Sequence, residues 1–201
     1  MIQGYAMLRV MIVDDSGIEP QRRSLCLRLM LEQVGCEVVA EVSEPRKLLA
    51  AVKARSPDVI IVNTASPSRD TLGHIAVLFG TEPLPIVMFS SDPASDTIRA
   101  AVQAGVSAYI VDGLAPERVR PIIEVAMARF ESQQAVRAEL AQVKSKLSER
   151  KVVERAKGIL MKARSIGEDE AYAALRKTAM ERSLSIGEVS RQLLAVSDLL
   201  G

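Results

Sequence analysis

The chain has 201 residues, of which 48% are hydrophobic, and its formal net charge is +1 at pH 7. This length suffices for one well-packed core of about 100 to 150 residues and a second, smaller unit. The near-neutral charge excludes a general electrostatic argument for nucleic acid or membrane, so any such argument rests on local clusters of charge.

Targeting and redox signals are weak along the whole chain. No stretch approaches the roughly 18 apolar residues that a membrane span needs, and the start lacks a cationic segment followed by an apolar run. The two cysteines, Cys26 and Cys36, fit neither a disulfide framework nor a metal-binding spacing, so we expect both to be small buried hydrophobic residues. These features predict a cytoplasmic protein without membrane contact. Met7 could be the natural start, with residues 1–6 as an extension.

Up to about residue 123, short β-branched runs alternate with helical patterns. The runs are LRVMIV, EVVAEV, DVIIV, PIVMF and AYIV, which begin at residues 8, 37, 58, 85 and 108. Five strands that alternate with helices predict a doubly wound, parallel α/β sheet. Such sheets place their functional site at the carboxyl ends of the strands.

Polar residues stand at or just past several of these predicted strand ends. They are Asp14 and Asp15, Asn63, Ser90, and Asp112. Because the carboxyl ends of parallel strands meet at one edge of the sheet, we expect these five residues to gather on one rim.

From Pro116 onward the strand pattern stops and the sequence has helical periodicity. Residues 117 to about 150 form one long pattern with apolar residues at spacings of four, three and four. They are Val136, Leu140, Val143 and Leu147. This short heptad seam predicts a parallel or antiparallel dimer. It is weak because Gln133 and Arg150 occupy the flanking seam positions, and a lone solvated helix with a narrow apolar stripe is the alternative.

Three shorter helices are predicted at the C-terminal end. Ser165 and Gly167 break the first, the acidic residues 168–170 suit the first turn of the second, and the polar residues around Ser185 start the third. A bundle this small could hardly fold alone, so we expect the long helix to support it.

Positive charge is concentrated in this region. Between Lys144 and Arg182 there are eleven basic and six acidic residues, a local excess of five positive charges. This excess favours a polyanionic partner, and a solvated helical surface is the alternative. The candidate contacts are Lys151, Arg155, Lys157, Lys162, Arg164, Arg176 and Lys177. Gly158, inside a helix at a cost of about 1 kcal/mol relative to alanine, predicts the close approach of another helix or of a ligand backbone.

Two known families resemble these motifs. RVMIVDDS, PDVIIVNTASP, PIVMFSSD and GVSAYIVDG are similar to the strand-end motifs of two-component receiver domains, over residues 8 to about 124. RKVVERAKGILM and DEAYAALRKTAMERS resemble the ANTAR domain, a three-helix RNA-binding module of transcription antiterminators, over roughly 147 to 199. The order resembles NasT-type regulators and, more distantly, AmiR. It implies a flavodoxin-like receiver domain at 1–123, a coiled-coil linker at 124–146 and an ANTAR domain at 147–201.

The receiver resemblance assigns roles to the rim residues. In a phosphorylatable receiver an acid pair holds Mg²⁺, an aspartate ends the third strand, a hydroxyl residue follows the fourth and a lysine follows the fifth. Asp14, Asp15 and Ser90 match, whereas Asn63 stands at the acceptor position and Asp112 at the lysine position. An amide forms no acyl-phosphate, and a carboxylate at 112 repels a phosphoryl group.

We therefore interpret the rim as a vestigial phosphoacceptor site. Mg²⁺ binding at Asp14 and Asp15 would be weak without a third charged ligand or a phosphate, and no other metal or cofactor is expected. The alternative is a working, phosphorylation-controlled receiver in which Asn63 replaces a native aspartate.

The NasT resemblance implies an antiterminator that binds hairpins in the leader of nascent transcripts. It also implies a partner related to periplasmic nitrate-binding proteins, which sequesters the regulator until nitrate or nitrite binds the sensor. The sequence gives no positive support for an enzyme, since it contains no glycine-rich phosphate loop and no nucleophile elbow, and its only histidine, His74, is expected at the surface. A DNA-binding regulator and a protein without nucleic-acid contact are the alternatives.

Overall fold

The computed structural model describes residues 7–15, 20–112 and 115–200, and residues 1–134 and 135–201 form two compact units. The suggested extension, residues 1–6, lies outside the described residues. Among the helices that are described, none combines the length and the apolar character needed to cross a membrane.

The first unit is built on a five-stranded parallel sheet, as predicted. Its strands are β1 Leu8–Asp14, β2 Cys36–Val42, β3 Val59–Thr64, β4 Ile86–Ser90 and β5 Ala108–Val111, in the order β2-β1-β3-β4-β5. The central strands are rich in β-branched residues and are buried on both faces, as expected for a sheet with helices on each side.

Helices follow the strands in alternation. They are α1 Pro20–Gln33, α2 Leu48–Arg55 with a preceding 3₁₀ turn at Pro45–Lys47, α3 Arg69–Thr81, α4 Ser95–Ala104 and α5 Pro116–Arg164, and the second unit adds α6 Glu168–Arg182 and α7 Ile186–Leu200. The predicted long helix and the first predicted C-terminal helix are thus one continuous helix of 49 residues.

Two layers of helices cover the sheet, because alternate strand residues point to opposite faces. On one face, against α2, α3 and α4, the fully buried side chains include Met11, Leu48, Ile60, Ile75, Leu78 and Met88. On the other, against α1 and the first part of α5, they include Ile12, Leu27, Leu31, Ile61, Val87 and Ile123. The core extends past residue 123, since Ala126 is also fully buried. The predicted doubly wound sheet is confirmed.

The two cysteines lie in different environments. Cys36 is buried at the start of β2, and this burial raises the pKa of its thiol. Cys26 is exposed on α1, next to the buried Leu27. The prediction that Cys26 is buried is wrong, because a helix places neighbouring residues about 100° apart and Leu27 takes the core-facing position.

The second unit packs α6 and α7 against the C-terminal part of α5. Its small core contains Ala156, Leu175, Ala179 and Val189. Ser165 has a positive φ of 52° just after α5, and α6 begins at Glu168, so the predicted break between these helices is confirmed. The helix α7 starts with a capping box in which the Ser185 hydroxyl accepts a hydrogen bond from the Glu188 N–H and the Glu188 carboxylate accepts one from the Ser185 N–H.

Candidate nucleic-acid interface and the rim of the sheet

The strand register places the five predicted rim residues along one edge of the sheet. Asp14 lies beside Asn63 in the pairing of β1 with β3, and Ser90 lies beside Thr64 on one side and Val111 on the other. Asp15 and Asp112 follow β1 and β5 directly, and the Asp112 N–H donates to the Ser90 carbonyl at 3.2 Å.

The acid pair is tied to the start of α3. The Asp15 N–H donates to the Asn63 carbonyl at 3.1 Å, and the Asp15 carboxylate accepts a hydrogen bond from the Thr71 hydroxyl. Ser68 caps α3 by accepting the Thr71 N–H at 3.0 Å. These contacts hold Asp15 against the hydroxyl groups of Thr71 and Ser68 at the start of α3.

The rim does not fit a strong magnesium site. Asp14 is buried, Asp15 accepts the Thr71 hydroxyl, and the next strand end offers the neutral amide of Asn63. Within the described ranges no three histidine, cysteine or acidic residues cluster as metal ligands would. Two carboxylates without a third charged ligand hold Mg²⁺ weakly, and no chemistry at the rim is assigned to a metal.

The Ser90 hydroxyl acts as both donor and acceptor of hydrogen bonds within the protein. This buried hydroxyl donates to the Ala65 carbonyl at 3.1 Å and accepts the Asp92 N–H at 3.1 Å. Asn63 is half-buried and ends in an amide, and Asp112 is exposed with a positive φ of 40°. Among the described residues, the rim therefore contains no carboxylate at the end of β3 and no cation directly after β5.

Asp92, which was not predicted as a site residue, links the loops around the rim. Its carboxylate accepts hydrogen bonds from the Ser66 hydroxyl at 2.7 Å, the Ala94 N–H at 2.9 Å and the Thr97 hydroxyl at 3.0 Å. Its carbonyl accepts the Tyr109 hydroxyl at 2.9 Å. The hydrogen bond from Ser66, followed by those from Ala94 and Thr97, lowers the pKa of Asp92. Asp92 thus joins the β3–α3 loop and the start of α4 through its carboxylate, and β5 through its carbonyl.

Replacing the Asp92 carboxylate should lower the stability of the receiver domain. We expect Asp92→Asn to lower the thermal midpoint by roughly 2–4 °C near neutral pH, because an amide is a weaker acceptor for three donors. The lowered pKa means that the charged carboxylate stabilises the fold above the ordinary aspartate value of about 3.9 and that this effect is lost as pH falls through the lowered pKa. The measurement is the midpoint of each protein as a function of pH.

The matched control is Asp96→Asn on α4, whose side chain is almost fully exposed and pairs only with Arg99 at 3.2 Å. It should leave the midpoint unchanged. A difference between Asp92→Asn and the parent that persists at pH values below the lowered pKa of Asp92, where its carboxyl group is protonated, would contradict the role of the Asp92 charge.

Three of the predicted basic contacts and Gly158 form one stripe along α5. Lys151, Arg155, Gly158 and Lys162 recur at spacings of four, three and four, which brings them to one face of the helix. This basic stripe lies opposite the packed residues Val153, Ala156 and Leu160. The three cations are exposed and make no ion pair with any other described residue.

Lys157 is not part of this surface, which corrects the prediction that it contacts phosphate. It is only 7% exposed, and its Nζ lies 2.6 Å from a Glu168 carboxylate oxygen and 2.9 Å from one of Glu154. The hydrogen bond to Glu168, and then that to Glu154, raises the pKa of Lys157, and Lys157 lowers the pKa of Glu168. Lys157 therefore attaches the first turn of α6 to α5.

Close packing at a glycine occurs on α7 rather than at Gly158. A Cβ added to Gly158 would meet no atom within 4 Å, so the expected close approach of another helix is wrong. Gly187 is buried in the first turn of α7, and a Cβ there would collide with the Glu149 carboxylate on α5. The acidic side chain lies at the amino end of a helix, where the helix dipole favours it.

The other predicted contacts lie apart from the basic stripe. Arg164, near the end of α5, lines a groove together with Leu160 and Arg182. Arg176 is exposed on α6 and has no ion-pair partner in the described part of the chain, whereas Lys177 lies 3.9 Å from Glu181.

The predicted seam lies on a fully exposed part of α5. Every residue from 135 to 151 is exposed, and the four seam residues are 51–62% exposed. An apolar stripe of this kind on an otherwise polar helix is what a coiled-coil partner covers.

Comparison with known proteins identifies both parts of the chain. Residues 10–124 match the response regulator receiver domain and residues 141–194 match the ANTAR domain. The chain belongs to the receiver–ANTAR response regulators. The resemblance to NasT-type proteins is confirmed, and this family assignment makes the chain an RNA-binding regulator of transcription. Both matched domains are regulatory rather than enzymatic.

Individual relatives agree with this assignment. The transcriptional regulatory protein PdtaR of Mycobacterium tuberculosis H37Rv is 28% identical over 92% of this chain and 89% of its own length. The nitrate regulatory protein of Klebsiella oxytoca is 33% identical over 44% of this chain but only 22% of its own length. The signal receiver domain of a modulated diguanylate cyclase from Desulfovibrio desulfuricans G20 shares the receiver fold, with a TM-score of 0.54 at 21% identity over 64% of this chain and 99% of that one.

Proposed function

We propose that this receiver–ANTAR protein is a transcription antiterminator that binds hairpins in leader RNA. In this proposal it acts as a homodimer, and contact with a nitrate- or nitrite-sensing protein controls it instead of phosphorylation. The observation that carries the proposal is the unpaired, exposed basic stripe on α5 of the ANTAR domain.

The basic stripe fits a nucleic-acid backbone. Lys151, Arg155 and Lys162 form no ion pair with any described residue, so they can release counterions from phosphates. Gly158 leaves open space between them, which lets a backbone approach the helix closely. Hairpin loops expose base edges to side chains, whereas the A-form major groove is too narrow to read, and this favours a hairpin over a plain duplex.

Single substitutions in the basic stripe should weaken RNA binding in a salt-dependent way. We expect Lys151→Gln, Arg155→Gln and Lys162→Gln each to weaken binding across hairpin sequences and to reduce the slope of log Kd against log salt by about 1, because each removes one phosphate contact. Filter binding at several salt concentrations measures both quantities.

Two further variants are controls that remove a positive charge outside the basic stripe. Lys53→Gln removes an exposed cation of the receiver-like unit and should change neither affinity nor slope. Lys157→Met should lower thermal stability, because it leaves Glu154 and Glu168 without their shared cation. An unchanged slope in all three stripe variants would show that RNA binds elsewhere.

Dimerisation is proposed through the seam on α5. A helical stretch as long as residues 135–151, with no residue of it buried, is marginal in water by itself. Pairing with a second copy would cover Val136, Leu140, Val143 and Leu147, and each leucine buried would contribute about 1.5–3 kcal/mol.

Charges placed in the seam should therefore separate the protomers. We expect Leu140→Glu combined with Leu147→Glu to sediment as a monomer at concentrations at which the parent is a dimer. The control is Ala138→Glu with Ser145→Glu, which adds the same charge at exposed positions off the seam. Unchanged assembly of the Leu140 and Leu147 variant would exclude the seam as the dimer contact.

The residues of the rim support regulation of this protein without phosphorylation. Asn63 stands at the position of the acceptor aspartate and Asp112 at that of the lysine. The Ser90 hydroxyl already donates one hydrogen bond and accepts another within the protein. The proposed sensor partner follows from the resemblance to NasT-type regulators, and similarity to the nitrate regulatory protein of Klebsiella oxytoca supports the nitrate link. Copurification of a nitrate-binding protein with this chain, released by nitrate or nitrite, tests that partner.

The rim should be inert towards phosphodonors. Incubation of the parent with a small phosphodonor and Mg²⁺ should add no phosphoryl group by mass spectrometry and should leave RNA binding unchanged. Asn63→Asp restores the nucleophile but keeps Asp112, whose charge opposes the phosphoryl oxygens, so we expect little stable modification. Asn63→Asp combined with Asp112→Lys is the comparison that restores both positions.

Two outcomes would change this account of control. A phosphoryl group on the parent would overturn phosphate-independent control. Efficient modification of Asn63→Asp alone would favour the alternative of a working receiver blocked at a single position.

A further inference from the structure

Tyr172 is an aromatic residue that the C-terminal unit does not use in its core. It is the only aromatic residue between positions 135 and 201. Its side chain belongs to α6 and the residue is 43% exposed, and its hydroxyl makes no hydrogen bond with any other described residue. The core of the unit includes two alanines, Ala156 and Ala179, and Tyr172 is not among the residues that form it or pack against it. Its exposure indicates a role at the surface.

The residues next to Tyr172 on the same face are suited to a nucleotide. Arg176 and Met180 follow at spacings of four, which places them beside Tyr172 along one stripe of α6. The Arg176 guanidinium has no ion-pair partner in the described part of the chain, and Met180 is 72% exposed. Ring, guanidinium and thioether are thus exposed along one stripe and are polarisable.

Charge sets the direction in which a nucleotide would lie. Asp169 is exposed one turn before Tyr172 and repels phosphate at that end of the stripe. Arg176 attracts phosphate at the other end. The uncharged ring lies between them, where an uncharged base fits better than a phosphate.

We propose that Tyr172 is a stacking platform for one unpaired base of an RNA hairpin loop, with Arg176 on the neighbouring phosphate. This inference rests on the proposed function, because it assumes that the ANTAR domain binds hairpin RNA. Unpaired bases stack on aromatic side chains in RNA complexes, and the π face accepts any base, so the platform contributes affinity for an open loop rather than for one sequence.

The test uses the full-length chain and RNA hairpins that have a constant stem and a randomised loop, enriched by binding to the parent. Tyr172→Leu keeps an apolar side chain but removes the ring, and it should weaken binding about tenfold without changing the salt slope. Tyr172→Phe keeps the ring and should bind as the parent does. Thermal melting followed by circular dichroism checks that each variant is folded.

A fluorescent probe reports stacking directly, because the chain contains no tryptophan. Tyr172→Trp introduces a single indole whose emission should be quenched when the hairpin binds and should be unaffected by the same stem as a blunt duplex. Val77→Trp on α3 of the receiver domain, where Val77 is 57% exposed, is the control and should not be quenched.

The outcomes separate this inference from the proposed function. If no hairpin is enriched by the parent, both fail. If hairpins are enriched, equal affinity of folded Tyr172→Leu and the parent overturns the stacking platform and leaves the proposed function intact. A tenfold loss with a reduced salt slope also overturns it, because that pattern belongs to a lost phosphate contact.

Discussion

The 3.6-residue period of α5 decides which of its cations can meet RNA. On this helix Val153, Ala156 and Leu160 pack against α6 and α7, so residues about half a turn away must face outward. The outward positions carry Lys151, Arg155 and Lys162, whereas Lys157 falls on the packed side and pairs with two glutamates. The same geometry that builds the small core therefore exposes the basic stripe, and the ion pair between Lys157 and Glu168 links α6 to α5.

The sheet is the part of the structure that the sequence predicts best. Runs such as DVIIV are strongly β-branched, and their order along the chain leaves a parallel sheet as the natural arrangement. The position of the rim follows from the sheet, because the carboxyl ends of parallel strands lie along the same edge. Asp92 was not predicted, since it lies two residues past Ser90 and only the fold brings Ser66, Thr97 and Tyr109 to it. The Asp–Pro pair just before α4 is the local signal that could have indicated it.

The helical unit shows why residue type alone misleads. A lysine among other cations predicts a phosphate contact. Lys157 instead forms ion pairs with Glu154 and with Glu168, which lies eleven residues away on the next helix. The two glycines differ in the same way. Gly158 has open space and Gly187 has none, and only the position of Glu149 distinguishes them. Burial and partners, rather than composition, separate supporting residues from interface residues.

The central claim is that RNA contacts the basic stripe of the ANTAR domain. Ultraviolet cross-linking of the full-length protein to cellular transcripts, with sequencing of the RNA and mass spectrometry of the cross-linked peptides, tests it most directly. The account predicts cross-links in peptides that contain residues 151–162, joined to RNA segments that form hairpins. Cross-links confined to residues 8–112, or RNA without hairpin structure, would contradict it.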